Sequence, residues 1–280
     1  MLPPMKAYPT SFILFLQQLA VGGLFALAVT PFHEIERGFY KSTAGVLVVA
    51  ALLGLWGKVA LFRDASFPVG GVGAMVEMLV YLFFVLFIVL YFISLWPEHL
   101  WFRARTFSSS LLFGLAGLGA ASFSFHKAAF WSFETLLYPV SFLLSSLLLG
   151  AATVGMLIGH WYLIDAGQSI EPFRRVFKFF VIVLIIQTAF LLITPLLLYL
   201  AGDSQTVSGL DRLWREHLVL VSARFLVSQV GPLALSYMIW QTLKIPNTMA
   251  ATGLFYITLL GVVVGEILGR QLLALTSLPL

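Results

Sequence analysis

A single-domain, all-α bundle of eight transmembrane helices over residues 1–280 is the fold class this sequence predicts, and three observations predict it. Hydrophobic residues make up 60% of the chain and charged residues 10%, whereas soluble domains sit near half and a quarter. Eight apolar stretches reach the ~20 residues that a helix needs to cross the hydrocarbon core. The polar breaks between them are short, leaving no room for a separate soluble domain. One apolar unit of this size would need far more polar covering in water, so the missing surface is lipid.

The predicted spans follow in order. Residues 1–10 carry Lys6 and the adjacent prolines Pro3 and Pro4, then lead into the first run at 12–32. No persuasive small-x-small cleavage site follows that run, so it reads as a retained helix rather than a signal peptide. The second span, 44–62, lies between Lys41 and Arg63, and the third, 72–96, follows a glycine-containing stretch at 70–73. The remaining spans are 107–125, 136–164, 176–201, 218–243 and 249–273. Pro195 and Pro232 are expected to interrupt the sixth and seventh helices. They form no symmetric pair, so the matched broken helices that point to a transporter are absent.

Lysine and arginine orient the bundle. The loops after odd-numbered spans hold Arg37, Lys41, Arg103, Arg105, Arg174, Arg175, Lys178 and Lys244, and the other side holds Lys6, Arg63, Lys127, Arg212 and Arg215. The positive-inside rule then places both termini outside. Trp96, Trp101, Trp131, Trp161, Tyr162, Trp214 and Trp240 fall near predicted span ends, where amphipathic rings favour the interface. The longest outer loop, 202–217, carries a short interfacial helix at 209–217. Ser208 precedes Asp211 by three, like a capping box, and Leu210, Leu213, Trp214 and Leu218 share one face.

Several function classes fall away. There are no cysteines, which excludes disulfides, cysteine-ligated iron–sulfur clusters and thiolate zinc sites within the chain. Walker-type loops, dinucleotide glycine patterns and zinc-protease helices are missing. A net charge of +4 is what loop arginines and lysines confer, and it needs no nucleic-acid partner.

What remains is a set of ions at membrane depth, each costly unless it has a role. Glu266 and Arg270 stand one turn apart in the last span, in the favourable order for an i,i+4 pair. Lys58 lies in the outer half of the second span, with Arg63 and Asp64 beyond it. Glu77 starts the third span, and Arg224 lies in the outer third of the seventh. These five residues, Lys58, Glu77, Arg224, Glu266 and Arg270, are expected to converge on one outer pocket, with His126 and His217 at its rim. Arg63 and Arg270 could instead snorkel to the interface, and Glu266–Arg270 could be structural glue. Glu77 cannot snorkel far, and glycines beside it would let a ligand approach. His33, His99 and His160 lie near the inner ends of spans. No span holds two histidines separated across the bilayer, as two stacked haems would need, so haem is not favoured. The segment 159–168 reads as an aromatic belt followed by a helix stop.

Three local features give a resemblance. The last span contains Gly265, Glu266, Ile267, Leu268, Gly269 and Arg270. The first has Gln17 or Gln18 ahead of Gly22 and Gly23, and the third opens near Glu77. In these the chain resembles the membrane-anchor subunit of the dimethyl sulfoxide reductase type of complex, an eight-helix quinol-oxidising subunit related to polysulfide-reductase-type anchors. The first feature is similar to that family's Gly-Glu-Leu-Ile-Gly-Arg segment, and the second to its Gln-x-x-x-Gly-Gly pattern. Glu77 matches the position of a family glutamate implicated in quinol binding. The family's histidine near the end of the second helix is replaced, with Lys58 the nearest candidate, and its Leu-Gly-Ser-Pro-like segment gives way to a different sequence at 61–69.

The resemblance implies a haem-free anchor in a bacterial or archaeal cytoplasmic membrane. It would bind menaquinone or ubiquinone, an iron–sulfur subunit and a molybdenum-containing catalytic subunit. On that reading Glu77 accepts quinol protons, Lys58 or Arg224 meets a quinone oxygen, and Glu266–Arg270 fixes the pocket wall. Electrons leave to a cluster on a partner docked over 202–217. A structural anchor without quinone chemistry, a haem b subunit and a small-solute transporter are the alternatives.

Overall fold

The computed structural model describes residues 4–30, 32, 34–63, 72–125, 133–165 and 167–279. His33, Asp64, Gly70, Gly71, His126, Lys127 and Trp131 lie outside the described residues. Every regular element within them is helical. They are α1 (Pro4–Ala28), α2 (Arg37–Arg63), α3 (Val72–Ser94), α4 (Leu100–Phe125), α5 (Phe133–Ile164) and α6 (Glu171–Ala201). Then come the short α7 (Ser204–Glu216), α8 (Leu218–Phe225), a π turn at Leu226–Val230, α9 (Gly231–Lys244) and α10 (Thr248–Thr276). Among the described residues, eight helical stretches are long and apolar enough to cross a membrane, with α8, the π turn and α9 forming one of them. The helices run past the apolar runs that announce them. α2, α4 and α6 begin at Arg37, Leu100 and Glu171, because a helix continues through its polar interfacial turn.

The helices form two halves that meet along one seam. α1 packs closely on α5, α3 on α4, and α10 on α5, α9 and α1. α1 and α5 are the most enclosed, with 72% and 78% of their apolar windows buried, against 28% for α2, α3 and α6. Glycine makes this seam possible. A Cβ on Gly22 would overlap the Ser146 carbonyl, and one on Gly150 would overlap the Gly22 backbone, so only the bare backbones can approach this closely. Gln18 stitches the crossing. Its Nε2 donates to the Phe142 carbonyl (3.1 Å), and Ser146 Oγ donates to the Gln18 carbonyl (2.8 Å). Without water in the bilayer core such groups need internal partners.

The two prolines behave differently. α6 continues through Pro195 to Ala201, so the expected interruption there does not occur. Pro232 is preceded by the π turn, in which the Gly231 N–H reaches back to the Leu226 carbonyl. Proline lacks an N–H and crowds the carbonyl four residues earlier, and the wider turn absorbs both problems.

α7 starts at Ser204, five residues before the expected 209, because Asp203 rather than Ser208 is the N-cap. Its side chain accepts the Thr206 N–H at 2.7 Å. Leu210 and Leu213 are buried with Leu137, Leu198, Leu272 and Leu278, which pins α7 to the bundle. The aromatic belt is narrower than its sequence suggests. Trp96, Trp101, Trp214 and Trp240 are exposed, but Tyr162 is buried and donates to the Ser169 carbonyl, while Trp161 packs on Phe39. The helix stop after α5 is as expected from 159–168: Asp165 accepts from the Gly167 N–H and from Gln168 Nε2.

Candidate functional site

Lys58 lies five residues before the end of α2 and Glu77 five residues after the start of α3. In two antiparallel neighbours these positions share one depth, about 7.5 Å inside the helix ends. There Lys58 Nζ and Glu77 Oε1 form an ion pair whose side chains are 15% and 14% exposed. The pair is mostly withdrawn from its surroundings yet still reachable. Tyr81 forms the floor one turn deeper: Lys58 Nζ stands 5.3 Å from its ring centroid, and its hydroxyl donates to the Ala51 carbonyl at 3.0 Å. Gly54 leaves room for that hydroxyl. Outside the pair, Val72, Met75, Val76 and Leu79 present an apolar face.

The second cluster belongs to the other half. Glu266 and Arg270 of α10 are 1% and 2% exposed. Arg270 Nη2 meets Glu266 Oε2 at 3.3 Å and Ser145 Oγ of α5 at 2.8 Å. Gln187 of α6 donates to Glu266 Oε1 at 2.7 Å. The Arg270 guanidinium also lies 5.0 Å from the Phe142 ring centroid, and Ser11 of α1 caps the Arg270 carbonyl at 3.3 Å. Arg270 therefore does not snorkel: α1 and α5 cover its route to the interface, and Glu266 holds its head inside.

Arg224 of α8 joins this cluster from the side and is 3% exposed. Gly261, Gly265 and Gly269 form a stripe along α10, spaced by four. A Cβ at Gly265 would strike Ser228, and one at Gly269 would strike the Arg224 guanidinium. The stripe is the groove into which the arginine is laid. Beside it, Ser228 Oγ donates to the Arg224 carbonyl (2.8 Å), Gln229 Nε2 to Ser228 Oγ (3.1 Å) and Thr188 Oγ1 to Gln229 Oε1 (2.7 Å). On its other side Arg224 lines an apolar cleft of about 420 Å³ with Pro195, Leu213, Trp214 and Leu272.

The five expected residues thus form two groups rather than one pocket. Lys58 pairs with Glu77, and Arg224, Glu266 and Arg270 gather together. Neither α2 nor α3 packs along α8 or α10, while α1 packs against both α2 and α10 and lies between the groups. Sequence reasoning had no measure of which helices adjoin.

It also missed Gln187, Ser145, Gln229 and Tyr81. Gln187 carried a signal, being an amide in the middle of the apolar run 179–193. Of the histidines, His160 Nδ1 is 3.0 Å from the Tyr256 hydroxyl, His99 is exposed beside the start of α4, and His217 links α7 to α8. No three His, Cys, Asp or Glu side chains gather as a metal site among the described residues.

The two clusters offer different chemistry. Lys58–Glu77 sets a cationic hydrogen-bond donor against a carboxylate near the helix ends. In the inner cluster one carboxylate is clamped by an arginine and an amide, which favours holding charge over moving protons. No family model matches the chain, and no curated protein matches it.

Proposed function

We propose that this chain is the quinone-reactive membrane subunit of a multi-subunit respiratory oxidoreductase, with the quinol-oxidising site at Lys58 and Glu77. The observation that carries this reading is the Lys58–Glu77 pair itself. It is an acid and a base of opposite charge, held about one and a half turns inside the helix ends, with exposed apolar side chains of α3 beside it. An isoprenoid tail would lie along that apolar face, leaving the head against the pair.

Oxidising a quinol to a quinone releases two protons and two electrons. Glu77 takes the two hydroxyl protons in turn, passing the first to water over the short distance to the helix ends before it takes the second. Lys58, freed from Glu77, donates a hydrogen bond to the oxygen that becomes a carbonyl. The two electrons would pass to an iron–sulfur cluster held by a partner subunit and on to a molybdenum-containing catalytic subunit. In this reading both termini face outward, and the partner docks over 202–217 and α7. Glu266, Arg270 and Arg224 hold the second half together as its scaffold. The tightly knit Glu266–Arg270–Gln187–Ser145 network also favours a second reading, a structural anchor without quinone chemistry.

The experiment that separates the two is Glu77→Gln in the assembled complex. The amide keeps size and hydrogen bonding but removes the titrating group. Quinol-dependent turnover should fall sharply while partner activity with an artificial soluble donor persists. Normal quinol turnover would leave the structural anchor as the reading, and equal loss with both donors would mean failed assembly. Mass spectrometry of the gently solubilised complex would identify co-purifying subunits and quinone.

A further inference from the structure

At the membrane face opposite the Lys58–Glu77 pair, α6 and α9 meet over a short stretch only and leave a cleft of about 720 Å³ between them. Its mouth and its floor are chemically unlike. At the mouth are Arg174, Lys178 and Lys244 with a single carboxylate, Glu171. Arg174 is already engaged: its Nη1 bonds Glu171 at 2.7 Å and its Nη2 bonds the Leu243 carbonyl at 2.9 Å, tying α6 to α9 across the opening. The two exposed ammonium groups are therefore the available charges. Lys178 stands one turn inward from Arg174, on the same face, and Lys244 rests on the Trp240 ring, 3.3 Å from its centroid.

Beyond the mouth the walls are mostly hydrocarbon, Phe177, Val181, Ile182 and Leu233, with the Tyr237 hydroxyl accepting from Gln241 Nε2 at 3.0 Å. Ser236 adds no free hydroxyl, since it donates to the Pro232 carbonyl at 2.7 Å. From Glu171 to Ile182, and from Lys244 back to Leu233, is eleven residues. At 1.5 Å per residue the cleft runs about 16 Å, which is half of a ~30 Å hydrocarbon core. A cationic mouth, an interfacial tryptophan and an apolar slot one leaflet deep match the two ends of one kind of molecule.

We propose that the α6–α9 cleft binds an anionic diacyl phospholipid, with its phosphate between Lys178 and Lys244 and one acyl chain along Val181, Ile182 and Leu233. Basic pockets between transmembrane helices recognise such headgroups by charge. A neutral quinone has no use for two ammonium groups, and a free phosphate has no use for the slot. The site is independent of the Lys58–Glu77 chemistry.

Native mass spectrometry of the full chain in detergent tests it, with phosphatidylglycerol and phosphatidylcholine titrated against each other. The wild type should retain phosphatidylglycerol in preference to phosphatidylcholine. The double variant Lys178→Gln/Lys244→Gln should lose about tenfold or more of that preference, as removing two charges near a membrane surface implies. Its phosphatidylcholine binding and melting temperature should not change. Lys41→Gln, another cation predicted for the same face, should leave the preference intact. Equal retention of both lipids by the wild type overturns the proposal. So does an equal loss in Lys41→Gln, which would reduce it to general surface charge, and so does displacement of the lipid by millimolar inorganic phosphate. A tightly co-purifying protein helix that excludes the lipid would overturn it too.

Discussion

Gln187 on α6 donates a 2.7 Å hydrogen bond to the carboxylate of Glu266 on α10, a residue 79 positions away. That bond gives the carboxylate a partner on each oxygen, because the other oxygen receives Arg270. The buried pair is therefore a three-helix joint, with Ser145 of α5 as its third wall. Breaking a buried ion pair from one side leaves an uncompensated charge and costs ~3–5 kcal/mol. Glu266→Ala and Arg270→Ala should each destabilise the solubilised protein by about that much. The double variant should recover part of the loss, which a thermal-melt double-mutant cycle reads. Simply additive losses would mean that the two residues are not energetic partners.

Gln187→Leu isolates the amide from the charges. It leaves the Glu266–Arg270 pair in place but removes one donor to a desolvated carboxylate, a loss of about 1.5–3 kcal/mol for a bond to a charged group. Melting temperature should fall by less than in Glu266→Ala. A fall as large as that of Glu266→Ala would mean that the amide, not the arginine, carries the joint.

The glycine stripe of α10 gives a steric prediction with internal controls. Gly265→Ala would place a methyl on Ser228 and Gly269→Ala one on the Arg224 guanidinium, whereas a Cβ at Gly253 meets nothing within 4 Å. Overpacking of this kind costs about 1–3 kcal/mol. Gly265→Ala and Gly269→Ala should both lower the melting temperature, Gly265→Ala more, because Ser228 is held on backbone and a long arginine can bend. Gly253→Ala should be neutral or slightly stabilising. Equal behaviour of all three would dismiss the groove.

How much of this was legible beforehand depends on the kind of signal. The eight spans were, because ~20 apolar residues have few other fates. Glu266–Arg270 was too, since i,i+4 spacing is a local property. The partition of the five ions into two groups was not. It depends on α1 standing between α2 and α10, and an all-round apolar helix carries no stripe to say which neighbours it takes. Gln187 stands out as an amide in an apolar run, but nothing in the sequence says which helix it faces, and Gln229 sits among serine and glycine where an amide is ordinary. The start of α7 was misplaced because Asp203 and Ser208 are both competent caps, and only the first has its acceptor on a free N–H. The π turn was hidden too: Pro232 announces a defect but not its form.

Topology is the prediction on which the chemical reading depends. Positive residues favour the loops after odd-numbered spans, and the positive-inside rule then predicts both termini and the Lys58–Glu77 pair on the outer face. A single crossing by α6 requires residues 167–170 and 202–203 to lie on opposite sides, because only α6 separates them. Reporter fusions after Arg175 and after Asp203 should therefore give opposite signals, cytoplasmic for the first. Cytoplasmic signals from both would break α6 as a span, while the reverse order would invert the bundle. Inversion would leave the helices intact, but on the proposed function it would move proton release from Glu77, and the docking face for any partner subunits, to the inner side.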